Sequence, residues 1–247
     1  YAAEGCGSDI ALSSDGQRIA ISAPSNNDGA IDAGHVRVFD YQNNAWVQVG
    51  SDIDGNITGL LLGTAIDLSA DGKRLVALGP NYANNGYGVG VVKVYEAING
   101  VWTQLGSDII GQGSSQGPDQ LYYDVAISQD GQRVAIGTNN NRVKVYEEIN
   151  GTWVQVGANI TAGGIVIWSV DMSVDLSADG KRLAVGTPVD NAAGNTRIFE
   201  ENGGVWTQVG APINGTAPAS RSGYAVALSA NGQRVAIGAP FHGPQNK

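Results

Sequence analysis

Asp9-Ile-Ala-Leu-Ser-Ser-Asp-Gly-Gln-Arg-Ile-Ala-Ile21 reads as two short apolar runs on either side of a polar turn. The segment returns at Ala65–Leu78, Asp124–Ile136, Ser173–Val185 and Ala225–Ile237. Its shared arginine falls at Arg18, Arg74, Arg133, Arg182 and Arg234, with spacings of 56, 59, 49 and 52. Two further motifs follow each of the first four copies. One is Val36-Arg-Val-Phe39, Val92-Lys-Val-Tyr95, Val143-Lys-Val-Tyr146 and Thr196-Arg-Ile-Phe199. The other is Trp46-Val-Gln-Val-Gly50, Trp102-Thr-Gln-Leu-Gly106, Trp153-Val-Gln-Val-Gly157 and Trp206-Thr-Gln-Val-Gly210. Three ordered motifs at a period near fifty residues define a repeat architecture.

Each motif alternates and is rich in β-branched and aromatic residues, so each reads as strand. The first supplies two strands joined by a tight Asp-Gly hairpin, where glycine takes a positive φ without steric cost. The Val-Arg-Val-Phe strand is third and the Trp strand fourth, with turns at Asn99-Gly100, Asn150-Gly151 and Gly203-Gly204. A four-stranded sheet this small cannot cover both its faces, whereas stacked copies shield one another. The predicted fold is therefore an all-β propeller of four-stranded antiparallel blades, with four complete repeats and a partial fifth. It forms one domain over residues 1–247, with repeats at about 8–55, 56–111, 112–162, 163–215 and 216–247. The recurring tryptophan is expected to wedge between blades with its indole N–H bonded to backbone or water. Trp168 lies outside the pattern.

Composition narrows the function. The 247 residues are 42% hydrophobic and 15% charged, and 36 are glycine, which disfavours a helical bundle. A net charge of −9 repels phosphate backbones and argues against nucleic-acid binding. One cysteine, Cys6, permits neither an internal disulfide framework nor a cysteine-based zinc cage, and it reads as a free or intermolecular thiol. The longest apolar stretch, Ile165 to Val170, is far short of a membrane span.

Gly223-Tyr-Ala-Val-Ala-Leu-Ser229 with Val235-Ala-Ile-Gly-Ala-Pro240, together with Gly34-His-Val-Arg-Val-Phe39 and Trp102-Thr-Gln104, resembles the FG-GAP repeat in its bacterial and algal cell-surface form. The resemblance implies a β-propeller, commonly of seven blades as in the integrin α-subunit head, secreted or displayed at the surface. It implies no single activity. Integrin-type repeats often carry an aspartate-rich calcium loop between the first two strands. Here the turn offers one carboxylate (Asp15, Asp71, Asp130, Asp179), or Asn231 in the fifth copy, too few for an ion that takes six to eight oxygens. An Asp–Arg clip across the turn is expected instead. Because the fifth copy has only two strands, the chain reads as a fragment of a seven-bladed ring rather than as a poorly closed five-bladed one.

Candidate chemistry is sparse. His35 opens a third strand and His242 lies near the end, neither in a metal-ligand spacing, so both read as structural or solvated and no metal or cofactor is expected. Asp67 and Asp175 lie in first strands and Asp124 opens another, where carboxylates could converge in a central channel. Aspartate at only some of these positions would suit a site superimposed on a scaffold. The connections between second and third strands vary in length, and binding is expected on this variable face. Its candidates are Asn26, Asn27, Asp28, Asp32, Asn81, Tyr82, Asn84, Asn85 and Tyr87. Sequons at Asn56, Asn150, Asn159 and Asn214 are expected to be exposed and open to glycosylation in a secreted protein.

The sequence thus points to a non-enzymatic extracellular or cell-surface module for adhesion or assembly, with other extracellular proteins or glycans as partners and no membrane insertion. A carbohydrate-binding, lectin-like propeller is the alternative, and a hydrolase with a central-channel carboxylate site a third reading.

Overall fold

The computed structural model of the protein describes residues 5–84, 87–112, 120–139, 141–163 and 172–241. The described chain is all-β apart from one 3-10 turn at Asp190–Ala192. The first sheet holds β1 (Ile10–Leu12), β2 (Arg18–Ala23), β3 (His35–Gln42) and β4 (Ala45–Gln48) in sequential antiparallel order, with a short β5 (Ile53–Asp54) on β3. The second repeats this with β6 (Ala65–Leu68), β7 (Arg74–Gly79), β10 (Val91–Ile98), β11 (Val101–Gln104) and β12 (Ile109–Ile110). A small hairpin, β8 (Ala83–Asn84) and β9 (Tyr87–Gly88), is inserted between β7 and β10.

The third sheet comprises β13 (Leu121–Ile127), β14 (Arg133–Thr138), β15 (Arg142–Ile149), β16 (Thr152–Gln155) and β17 (Ile160–Thr161). The fourth has β18 (Ser173–Leu176), β19 (Arg182–Thr187), β20 (Asn195–Asn202), β21 (Val205–Gln208) and β22 (Ile213–Asn214). The fifth copy forms a two-stranded sheet, β23 (Val226–Leu228) with β24 (Val235–Ile237).

The third-to-fourth turns behave as their residues require. Both central positions take positive φ: 51° and 62° at Asn43-Asn44, 52° and 79° at Asn99-Gly100, 51° and 81° at Asn150-Gly151, 59° and 83° at Gly203-Gly204. These are the mirror-image turns whose twist matches the flanking strands. The first-to-second turn departs from expectation in two respects. It is longer than a two-residue hairpin, because the register closes at Leu12↔Ile19 and leaves Ser13–Gln17 outside the strands. Nor does the arginine clip the aspartate. Ser13 Oγ donates to Asp15 at 2.6 Å and accepts the Arg18 N–H at 2.9 Å, while Asp15 accepts the Gln17 N–H at 3.0 Å. Serine and aspartate satisfy the turn locally, so the guanidinium is free to reach elsewhere.

Consecutive sheets pack face to face, and each core cluster is shared by two of them. In β7, Leu75 and Ala77 face the first sheet, whereas Val76 and Leu78 face the third. A period of two sends successive side chains to opposite faces, so a strand between two sheets is apolar throughout. Three kinds of joint accompany this packing. On the first strands, or immediately before β1 for Asp9, the residues Asp9, Asp67 and Asp124 accept the backbone N–H of Ile66, Ile127 and Val174 in the following sheet at 2.8, 2.8 and 2.9 Å, and Asp175 accepts that of Leu228. At the turns, Arg18, Arg74, Arg133 and Arg182 donate to the carbonyls of Gly72, Gly131, Gly180 and Gly232, again one sheet on. Each arginine also pairs with an acid on its own third strand: Asp40, Glu96, Glu147 and Glu200 respectively.

The third joint belongs to tryptophan. Trp102, Trp153 and Trp206 donate Nε1–H to the carbonyls of Val49, Leu105 and Val156 in the preceding sheet at 3.1, 2.9 and 3.1 Å. These rings fill the seams as wedges, and each satisfies its polar edge there. Trp46 has no preceding sheet among the described residues. It is 46% exposed and packs on Tyr41 with ring centroids 5.2 Å apart, whereas Trp153 is 8% exposed. Ile10 follows the same rule, at 57% exposed against 5% for its counterpart Ile66.

Candidate functional site

The variable connections come together with the linkers that follow the fourth strands. The short strand β5 folds back on the start of β3, and the segment after it runs beside the 24–34 connection. Gly59, Leu61 and Leu62 donate backbone N–H groups to the carbonyls of Ile31, Asp32 and Ala33 at 2.8, 3.1 and 2.9 Å. Contact is so close that a Cβ on Gly29 would sit 1.9 Å from the Gly55 oxygen. The recurring Gly-x-x-Ile after each Trp strand (Gly50 to Ile53, Gly106 to Ile109, Gly157 to Ile160, Gly210 to Ile213) was the signal for this extra strand.

Of the nine loop candidates, Asn27, Asp28, Asp32 and Asn81 are exposed. Asn26 is buried and organises the loop: its side-chain oxygen accepts the Asp28 N–H at 2.8 Å and its amide donates to Asp28 Oδ2 at 3.3 Å. Asn27 accepts the Asp32 N–H at 2.7 Å. Tyr82 is half-buried against the first core cluster. Asn84 and Tyr87 form the β8–β9 pair, their side chains lying outside the description, and Asn85 is outside the described residues, as are Trp168 and His242. Asn56, Asn150 and Asn214 are exposed as expected, but Asn159 is part-buried and its side-chain oxygen accepts from Gln155 at 2.9 Å. Cys6 is exposed and free.

The first-strand carboxylates have both oxygens engaged. While Oδ2 reaches the next sheet, Oδ1 accepts the N–H of the following residue: Ile10, Leu68, Val125 and Leu176. Burial raises all four above the ordinary carboxylate range, and Asp67 and Asp124 are pushed up to about 7 despite these hydrogen bonds. Asp67 is further raised by the charges of Asp175 and Asp124, and Asp124 by that of Asp9. The sequence reading of aspartate in only some repeats is corrected here. Asp9 and Asp124 stand six residues before the turn Asp, and Asp67 and Asp175 four before it. Two residues along a strand is the same face, so the first four repeats each supply one clip.

A second cluster is confined to the first repeat. The His35 side chain is 3% exposed, and its Nδ1 has no hydrogen-bond partner among the described residues. Asp28 Oδ2 lies 3.9 Å from that nitrogen, Asp52 Oδ2 3.8 Å and Asp54 Oδ1 3.8 Å. Asp54 is placed by the ladder directly opposite His35. Asp52 is held by Arg37 at 2.7 Å and by Gln48 at 2.6 Å, and the Arg37 hydrogen bond keeps its carboxyl below the usual range. Burial, then repulsion from Asp52, raises Asp54.

No family model and no curated protein matches the chain. Solved structures do. A protein of unknown function from Desulfotomaculum acetoxidans matches with a TM-score of 0.64 at 15% identity over 93% of this chain, which spans 61% of that protein's length. A candidate 6-phosphogluconolactonase from Bacteroides uniformis matches with a TM-score of 0.54 at 16% identity, covering 94% of this chain and 77% of that one. At such identities the likeness is one of fold.

Proposed function

We propose that the protein is a β-propeller of the FG-GAP type, secreted or displayed at the cell surface, serving as a non-enzymatic interaction module. The radial arrangement is supported by the first strands, whose carboxylates link consecutive sheets while feeling the charge of sheets two positions away. Strands gathered round a common axis have that geometry. The observation that carries the functional reading is the contrast between joints and loops. Ser-Asp turns, Arg–Gly contacts and Asp clips recur from repeat to repeat, whereas the second-to-third connections each differ. A constant frame with variable loops on one face is how binding surfaces are built.

Replacing residues 83–88, the inserted β8–β9 hairpin, with a two-residue Gly-Ser link that keeps Tyr82 and the buried Val89 tests it. The variant is expected to fold with unchanged cooperativity and to lose capture of extracellular protein or glycan ligands on arrays. Retained capture would remove the binding function from this face. The lectin reading is favoured by the exposed amide and carboxylate side chains of Asn27, Asp28 and Asn81, and predicts that glycans alone are captured. The name of the Bacteroides uniformis protein raises a sugar-lactone hydrolase as a third reading, for which lactone hydrolysis lost in Asp124→Asn is the test.

A further inference from the structure

We infer that His35, Asp28, Asp54 and Asp52 form a binding site for one divalent transition-metal ion, of the Zn2+ class, on the variable face. A buried imidazole nitrogen ordinarily finds a partner, because leaving it unbonded forfeits the hydrogen bond to water that it makes in the unfolded chain. His35 Nδ1 is buried and unbonded among the described residues, yet three carboxylate oxygens, one from the 24–34 connection and two from the segment around β5, converge on it at 3.8–3.9 Å. That spacing excludes direct hydrogen bonds, which between imidazolium and carboxylate close to about 2.7–2.9 Å. It is also too short for a bridging water, which holds its two partners roughly 4.5–5 Å apart. A single ion with ligand bonds near 2.1 Å sets tetrahedral ligand atoms about 3.4 Å apart, so the nitrogen-to-oxygen spacings need contract only by about half an ångström, while the more exposed Asp28 and Asp54 carboxylates swing in to complete the shell. The Asp28, His35 and Asp52 ligand atoms already lie within 4.8 Å of one another.

Charge agrees with this. Three carboxylates and the Arg37 guanidinium leave two negative charges around the nitrogen, matching a divalent ion. A nitrogen donor among oxygens favours zinc-class ions over calcium or magnesium, which prefer all-oxygen shells.

Comparison between repeats separates the site from the scaffold. The Arg37–Asp52 ion pair recurs as Lys93–Asp108 at 2.6 Å, so the frame supplies Asp52 already oriented, and what is peculiar to the first repeat is the addition of His35, Asp28 and Asp54 around it. Sequence alignment of the third strands places Val91, Arg142 and Asn195 at the His35 position, and Ile110, Thr161 and Asn214 at the Asp54 position. In the fourth repeat the corresponding space is filled by Arg197, Asn195 and Asp190 bonded to one another. Asp28 is aimed by the buried Asn26, which gives that residue a positioning role. Sequence reasoning missed the site because its ligands come from positions 28, 35, 52 and 54, which match no ligand-spacing motif.

Untagged protein stripped with chelator, titrated calorimetrically with ZnCl2, is expected to take one ion per chain, with Zn2+ raising the melting temperature. Asp28→Asn and Asp54→Asn are each expected to weaken binding roughly tenfold or more, without lowering the metal-free melting temperature. Asp108→Asn, at the scaffold position of the second repeat, should leave Zn2+ affinity unchanged. The His35 imidazole signals in NMR are expected to shift on binding. Absence of binding, binding that survives both aspartate variants, or equal affinity for Ca2+ and Mg2+ would overturn the assignment.

Discussion

Asp67, on the first strand of the second sheet, accepts the backbone N–H of Ile127, on the first strand of the third, at 2.8 Å. A carboxylate thus joins two sheets that share no ladder. Asp67→Ala would leave the Ile127 and Leu68 N–H groups without this partner, and a buried unpaired donor costs about 1–3 kcal/mol. Urea unfolding is expected to show a loss of that order. A loss below roughly 0.5 kcal/mol, the range of ordinary surface substitutions, would mean that water replaces the clip freely.

The same carboxylates set the pH response. Asp67 and Asp124 are raised from 3.8 to about 7 in the folded protein. Between these values the native state holds protons that the unfolded chain has released, so stability falls as pH rises. Their contribution is complete below pH 3.8 and lost as pH passes through about 7. Asp15, Asp40, Asp52, Asp71 and Asp179 are lowered instead, and their contribution disappears at acid pH. Melting temperatures are therefore expected to be higher at pH 5 than at pH 8, with the difference reduced in the Asp67→Ala, Asp124→Ala double variant. A flat profile in the parent protein would refute the assignment.

How far the sequence revealed this frame depends on whether a residue acts within its own repeat or beyond it. Asn150-Gly151 announces its turn because the φ requirement is local, and the tryptophans announce a seam by recurring. The Asp clips escaped because their acceptor role is shared between sheets, and because they alternate between two positions on one strand face. Arg18 misled for a related reason. Asp15 is its neighbour in sequence, but the ladder sets Asp40 opposite Arg18, and Gly72 lies one sheet away. In the loops, Asn26 looked like a surface ligand contact, yet burial gives its amide to Asp28.

Arg133 joins more than its counterparts do. It bonds Glu147 in its own sheet, the Gly180 carbonyl in the next, and the buried Glu201 at 3.0 Å. Removing one partner of a buried pair costs about 3–5 kcal/mol, since the remaining charge has no counter-ion. Arg133→Ala is expected to approach that range in urea unfolding, while Arg234→Ala, on the last strand pair, stays within about 0.5 kcal/mol. Equal effects would show that the joint to Glu201 contributes nothing.

Gly157 tests the tryptophan seam between the third and fourth sheets. A Cβ there would lie 2.2 Å from the Gly204 oxygen, with the Trp206 ring at 3.5 Å, and φ is +72°. Gly151 has a similar φ of +81° but nothing within 4 Å of its Cβ position. The positive φ alone costs an L-residue about 1–2 kcal/mol, so Gly151→Ala measures that penalty by itself. Gly157→Ala adds a clash with backbone that can be relieved only by moving the fourth sheet off the third. It is expected to cost at least twice as much in thermal or urea unfolding and to red-shift the emission of Trp206 as the seam admits water. Similar losses in the two variants, with unchanged fluorescence, would mean that the sheets slide apart at little cost and that the tryptophan wedge does not fix their spacing.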